Sequence, residues 1–420
     1  MTARARAASE DAERWLLGRE LFGMRFGLDR MRRLLTALGS PQDAFRTIHV
    51  VGTNGKSSTV RMTAAILERH GVATGAYLSP HLVSFRERIR IGDADLSAED
   101  FACAIERVRR AAEMVDRGLV DGDRVTQFEA LTAAAYSELA RQGVEVAVVE
   151  AGLGGRWDAT NVIASEVAVL TNVGLEHTRW LGPTVRDIAR EKLAVVRPGS
   201  TLVLGSDLHP DAFLEAHRSP AGKVVVAPDT LPPTIEVGAR GGFQRRNFAV
   251  ARTAAQALLG SLDQEAVRAA AAAIRVPGRF EVIADEPLTI LDGAHNPGGM
   301  RALADSLSDV HHPLVVVVSV LDDKDATSML RALLPHADAV ICTSNANPRA
   351  LPPATLASLT TQLGGACSEI DPIVEPEPHR ALARARDLAG PEGAVLATGS
   401  IYLVADLLRP RGATGPRSML

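Results

Sequence analysis

Short apolar runs recur along this chain, each separated from the next by a stretch whose apolar residues return at helical spacing. Thr47 to Val51, Ala73 to Leu78, Val144 to Val149, Val167 to Thr171 and Thr201 to Leu204 are the first such runs. Strands that alternate with helices pair in parallel, because a parallel connection needs a crossover long enough to hold a helix. The pattern therefore predicts a doubly wound, mostly parallel sheet. After an Ala-rich helix expected at Gln264 to Ile274, the segment Arg275-Val276-Pro277-Gly278-Arg279 breaks the periodicity. A second series follows, with strands near Leu288 to Leu291, Leu314 to Val320, Ala339 to Thr343 and Ala394 to Ala397. The fold class is thus α/β: residues 1–274 form an N-terminal domain around a mostly parallel sheet, 275–279 a linker, and 280–420 a smaller Rossmann-like α/β domain. No internal repeat is evident, and the last ten residues read as a loose tail.

Within this frame, Ile48 to Thr59, IHVVGTNGKSST, carries the sharpest chemistry. An apolar strand enters a Gly-rich turn, and Met62, Ile66 and Leu67 then recur at helical spacing. Gly52 and Gly55 let the backbone N–H groups of the turn close around phosphate oxygens at the positive end of that helix. Lys56 adds a point charge, and the hydroxyl of Ser57 or of Ser58 can reach Mg²⁺. Only two residues separate the glycines, where the generic P-loop has four.

Composition removes several classes of function. A formal charge of −4 over 420 residues announces no basic face, so no nucleic acid partner is expected. The opening MTARARAASEDAERW lacks the apolar core of a secretory signal, and Leu314 to Leu321 is too short to span a bilayer, so no membrane partner is expected either. Cys103, Cys342 and Cys367 are widely spaced and odd in number, which predicts reduced thiols in the cytoplasm. Lys56, Lys192, Lys223 and Lys324 are the only lysines among 46 basic residues. Where arginine serves for plain charge, a retained lysine marks a need for a compact ammonium or a deprotonatable amine.

Ligands of open α/β sheets gather outside the carboxyl ends of the strands. Glu150 ends one apolar run and precedes Ala151-Gly152-Leu153-Gly154-Gly155, a stretch that also reads as a plain tight turn. Ser79 ends another run, and Glu176-His177 lies just past Val173. A carboxylate there suits Mg²⁺, whereas an imidazole does not match the preference of that ion for oxygen. Thr184 and Asp187 form a capping box for a helix with Val185, Ile188, Val195 and Val196 on one face, and Lys192 falls on that face. Lys192 either snorkels outward along its stem or is desolvated with a lowered pKa. In the second series, Asp292-Gly293-Ala294-His295-Asn296-Pro297 ends a strand. An acid and an imidazole three residues apart can bind an amine and an anion or move a proton, or the segment is simply a helix start capped by Asn296. Arg279 can clamp a phosphate or lie solvated.

With these residues assembled, the sequence resembles the folylpolyglutamate synthase and dihydrofolate synthase family, within the Mur ligase superfamily of ATP-dependent amide ligases. The likeness runs from about Phe26 to about Leu408. It rests on Gly27 to Arg30, Leu78 to Ile89, Glu150 to Arg156, Asp158-Ala159-Thr160-Asn161, Gly174 to Thr178, Glu191-Lys192, Pro277 to Glu281, Leu291 to Pro297, Asp323-Lys324-Asp325, Asn347 to Ala350 and Thr398-Gly399-Ser400.

The resemblance implies that Gly52, Thr53, Asn54, Gly55, Lys56, Ser57, Ser58, Gln244, Asn247, Arg279 and Asp292 bind ATP. It implies Mg²⁺ ligands at Ser58, Ser79, Glu150 and His177, and a carbamate on Lys192 that supports a second ion. Lys56, Lys192, Asp292 and His295 match catalytic groups, and the segments around Phe26 to Arg30 and Ser79 to Arg88 match the region that holds a pterin. The implied reaction phosphorylates the carboxylate of dihydropteroate or folate, and the α-amine of L-glutamate then displaces phosphate. Small-molecule partners and a monomer follow from it. Two departures stand out: Ser57 replaces a glycine directly after the P-loop lysine, and Glu176 replaces an aspartate. A muramyl-peptide ligase would carry a larger domain before the P-loop than the fifty or so residues here, and a GTP-binding switch would need an Asn-Lys-x-Asp reader. Other amino-acid ligases of the superfamily and a catalytically silent nucleotide-binding protein remain as alternatives.

Overall fold

The computed structural model describes residues 3–19, 27–120, 123–364 and 371–411. Phe26, Cys367 and all but the first residue of the expected tail lie outside them. The described chain divides into two compact units, one running to Gly238 and resuming at Arg245–Ile274, the other formed by Ala239–Gln244 and the residues from Arg275 onward.

The first unit holds an eight-stranded sheet built from β1 (Arg46–Val51), β2 (Thr74–Tyr77), β3 (Ile89–Ile91), β4 (Ala94–Asp95), β5 (Val146–Glu150), β6 (Val167–Leu170), β7 (Thr201–Leu204) and β8 (Lys223–Val226). Their order across the sheet is β4-β3-β2-β5-β1-β6-β7-β8. Six of these strands run parallel, and β3 and β4 turn back antiparallel at one edge. Val146 to Glu150 is buried at every position, as a strand covered on both faces must be. Val50 faces Glu150 in register, and Val149 faces Tyr77, so the ends of β1, β2 and β5 lie side by side. One core cluster gathers Met31, Leu34, Phe101, Ile105, Leu131 and Tyr136; another gathers Val51, Leu170, Ile188, Leu193 and Leu202.

The second unit holds a six-stranded sheet of β9 (Glu281–Asp285), β10 (Leu288–Leu291), β11 (Leu314–Val318), β12 (Ala339–Cys342), β13 (Ile373–Val374) and β14 (Ala394–Thr398), ordered β13-β12-β11-β14-β10-β9. Only β9 runs antiparallel, at the edge. The α/β class with two parallel-dominated sheets is the one expected.

Three features differ from expectation. Ala239–Gln244 groups with the second unit although the expected first domain ran unbroken to residue 274. The edge strands β3, β4, β8, β9 and β13 were not expected, because short or half-exposed strands carry neither a full apolar run nor clean alternation. The helix Ala3–Leu17 was also missed: Ala12 and Leu16 seat it in the core beside Phe101. Among the described residues, no helix is long and apolar enough to cross a membrane.

Candidate active site

The turn after β1 is shaped by close contacts. A Cβ on Gly52 would lie 1.8 Å from Thr171 Oγ1, and one on Gly55, where φ is 80°, would lie 2.5 Å from Asn247 Oδ1. Gly52 is thus required for space beside Thr171 and the Asn172 backbone, and Gly55 for its left-handed φ. Gly55 caps the helix Lys56–Arg69 and, having no side chain, makes no capping hydrogen bond of its own. The segment after β6 clasps the turn: Thr53 N donates to Asn172 O at 2.9 Å, Asn54 N to Asn172 Oδ1 at 2.9 Å, and Thr171 Oγ1 to Asn54 O at 2.6 Å. Lys56 curls back over its own loop, with Nζ donating to Gly52 O at 3.0 Å and Thr53 O at 3.3 Å.

Glu150 stands at the end of β5, 1% exposed, and ties neighbouring elements together. Its Oε1 accepts from Ser57 Oγ at 2.9 Å and its Oε2 from Ser79 N at 3.1 Å. Ser57, the serine that stands where the resemblance expects glycine, thus reaches the carboxylate, and Ser58 is buried. His177 is exposed, with φ of 46°, at the start of the short helix Thr178–Leu181. Among the described residues, no three His, Cys, Asp or Glu side chains converge as a metal cluster. One carboxylate with serine hydroxyls is instead an all-oxygen set. That fits Mg²⁺, which takes few protein ligands and keeps water and phosphate for the rest.

Lys192 does not snorkel. The capping box on Thr184 and Asp187 opens the helix Val185–Leu193 as expected, and Lys192 in its last turn is 1% exposed. Its Nζ donates to Gly52 O at 2.8 Å and to Glu176 Oε1 at 3.0 Å. Two of the four lysines thus meet at one carbonyl of the P-loop. Burial pushes the Lys192 ammonium down in pKa, against the pull of Glu176. For Glu176 burial works upward, but the charges of Lys192, Lys56 and His177 outweigh it and hold the carboxyl at about 2.

In the second unit Asp292 directly follows β10, with both oxygens engaged: Oδ2 accepts from Phe280 N at 2.8 Å and Oδ1 from Ala294 N at 2.7 Å. Burial raises its pKa, opposed first by the Arg279 charge. His295 Nδ1 lies 2.9 Å from Gly293 O, which assigns the proton to Nδ1, and Asn296 caps the helix Pro297–Ala304 through Gly299 N at 2.8 Å. Arg279 lies against Gly293, where a Cβ would come 2.3 Å from Nη1. Asn247 sits on the P-loop of the first unit, whereas the buried Gln244 groups with the second.

Sequence reasoning overlooked Thr171 and Asn172, and it noted Glu176 beside His177 at a strand end and as a departure without pairing it with Lys192. The rule that polar residues at strand ends matter would have found the first pair, since Thr171-Asn172 directly follows β6. Nothing in the sequence joins Glu176 to Lys192, which lie on separate elements.

Residues 50–227 match the model of the Mur ligase middle domain, and residues 278–401 that of the Mur ligase, glutamate ligase domain. A dihydrofolate synthase/folylpolyglutamate synthase of Bacillus subtilis is 31% identical over 95% of this chain and 98% of its own length. Longer archaeal relatives are spanned over about half their length. The folylpolyglutamate synthase of Mycobacterium tuberculosis, complexed with ADP and AMPPCP, matches with a TM-score of 0.88 and 32% identity over 98% of this chain and 100% of that one. A bifunctional folylpolyglutamate synthase/dihydrofolate synthase with Mn, AMPPNP and L-glutamate bound matches with a TM-score of 0.82 and 29% identity over 94% and 97%. With both Mur ligase domains present and relatives matched end to end, this chain belongs to the folylpolyglutamate synthase/dihydrofolate synthase family of Mur-type ligases.

Proposed function

We propose that this protein is an ATP-dependent ligase that joins the α-amine of L-glutamate to the carboxylate of dihydropteroate, of a folate, or of both, through an acyl phosphate. The observation that carries the reading is the convergence of Lys56 and Lys192 on the Gly52 carbonyl, beside Glu150. A phosphate-binding turn alone needs one lysine. A second, buried amine calls for chemistry beyond holding a nucleotide.

With Thr53 N and Asn54 N held by Asn172, the amides of residues 55–58 at the helix start receive the ATP phosphates, and Lys56 exchanges its two loop carbonyls for phosphate oxygens. Asn247, whose amide lies against Gly55, is placed to meet the nucleotide there. Glu150, with the hydroxyls of Ser57 or Ser58 and Ser79 and with the exposed His177, would hold Mg²⁺. That ion supplies charge neutralisation for phosphoryl transfer. Lys192, desolvated and paired with Glu176, is the candidate for a carbamate and a second ion. In the second unit, Nδ1–H of His295 is committed to Gly293 O, so the basic nitrogen is Nε2, suited to accept the proton of the incoming amine. Asp292 shapes that turn through two backbone amides, and Arg279 adds positive charge for phosphate. A free, exposed Cys103 supports a cytoplasmic setting, and the proposed chemistry asks for no more than a monomer.

The test is glutamate-dependent ADP formation with dihydropteroate and with tetrahydrofolate offered separately. ADP with one alone identifies the substrate, and ADP with both makes the enzyme bifunctional. No ADP with either overturns the reading.

A further inference from the structure

His49 of β1 and Thr160 are given no role in the reaction as proposed, yet they and Asp158 are all buried. His49 is 0% exposed and places Nε2 2.8 Å from the Thr160 hydroxyl. That hydroxyl has one proton and donates it to Asp158 Oδ1, so it accepts from His49 Nε2–H. Asp158 also accepts from Thr160 N at 3.0 Å and from Leu153 N at 2.8 Å. Among the described residues no cation forms an ion pair with this carboxylate, so its hydrogen bonds go to the segment on which it sits. Burying a carboxylate without a cation is costly, and the arrangement is fully polar only while all these partners stay in place.

What the relay holds is the loop 151–156. That loop starts at Glu150 and ends against the helix that carries Lys192. Arg156 N donates to Glu191 O at 2.9 Å, and a Cβ on Gly155 would lie 2.6 Å from the carbonyl oxygens of both Glu191 and Lys192. At Gly155 loop and helix touch backbone to backbone, and the Arg156–Glu191 ion pair, 2.9 Å, joins them alongside. A shift of the loop therefore reaches Lys192 at one end and Glu150 at the other.

We propose that Thr160, fixed between His49 and Asp158, is a positioning residue of the ligase: it sets the loop 151–156 and thereby holds the Glu150 carboxylate and the Lys192 amine in place around the P-loop. The inference rests on the ligase reading above. Because the P-loop amides that receive nucleotide are not part of the relay, its loss affects turnover more than ATP binding.

Two substitutions separate this from a merely structural role. Thr160→Val keeps the shape and removes the hydroxyl, whereas Thr160→Ser keeps the hydroxyl. Thr160→Val is expected to lower kcat about tenfold or more while KM for ATP stays within about twofold, since small misplacements of reacting groups cost that much. The Leu153 amide should lose hydrogen-exchange protection in the same variant. Thr160→Ser should restore both kcat and protection. Equal losses in the two variants, or wild-type kcat with a protected Leu153 amide in Thr160→Val, overturn the proposal. Should Thr160→Val fail to fold, His49→Gln, which keeps an N–H donor, and His49→Leu, which does not, repeat the comparison from the other end, and equal behaviour of those two overturns it as well. A wild-type protein without ligase turnover refutes the reaction instead, and the exchange arm still decides whether the relay orders the loop.

Discussion

Lys192 and Glu176 carry opposite charges into a place that water hardly reaches, with side chains 2% and 10% exposed. Removing one member of such a pair strands the other. Lys192→Ala is therefore expected to abolish most turnover and also to cost about 3 kcal/mol, read from urea unfolding. Lys192→Ala with Glu176→Gln should recover much of that stability without recovering turnover, which separates the structural share from the chemical one. The pair also fixes a pH window. Glu176 is held at about 2 from an ordinary 4.5, so its stabilisation is present above pH 4.5 and is lost as pH falls towards 2. His49 acts over a higher range: burial first, then the Arg197 charge, lowers it to about 3 from 6.5. The unfolded chain takes up that proton between pH 6.5 and 3 while the native one refuses it, so stability should fall there by up to about 1.4 kcal/mol per pH unit. Unfolding midpoints measured from pH 7 to pH 4 check this, and His49→Gln should flatten the slope.

At the level of elements, the site depends on how closely one backbone approaches another. Gly155 sits against the last turn of the helix Val185–Leu193, and Gly155→Ala must push that turn away. Overpacking of this kind is expected to cost about 1–3 kcal/mol and to lower turnover, measured by denaturation and by ADP formation on the same preparation. The central strands and this helix were legible because each has a period that only one kind of element satisfies. The run Val146 to Val149 has no polar break, and Ile188 and Lys192 are four residues apart. Turn chemistry was equally plain at Thr184 and at Asn296, whose caps both form. Edge strands such as β9 were hidden because their half-exposed residues follow no rule of alternation. Spacing placed Lys192 on an apolar face but not against a partner, since Glu176 and Gly52 reach it only through tertiary structure. Likewise, register brought Glu150 beside the end of β1, and no one-dimensional pattern contains register.

Across the whole molecule, the nucleotide is the natural lever on stability. A ligand that binds only the native state adds about 2.7 kcal/mol at a hundredfold excess over its Kd. ATP with Mg²⁺ should accordingly raise the thermal midpoint, and Lys56→Ala should lose that shift while its own unliganded midpoint stays near wild type, as differential scanning calorimetry can show. The scarcity of lysine also has a practical side. An amine-directed acylating reagent meets, apart from the amino terminus, only four targets, and the fold has graded them. Lys223 stands exposed on an edge strand, Lys324 is paired with Asp323 at 3.2 Å, Lys56 is half-buried over its loop and Lys192 is sealed. Labelling should proceed in that order. Mass gained at Lys56, and withheld when ATP is present, then turns a chain almost free of lysine into its own occupancy gauge.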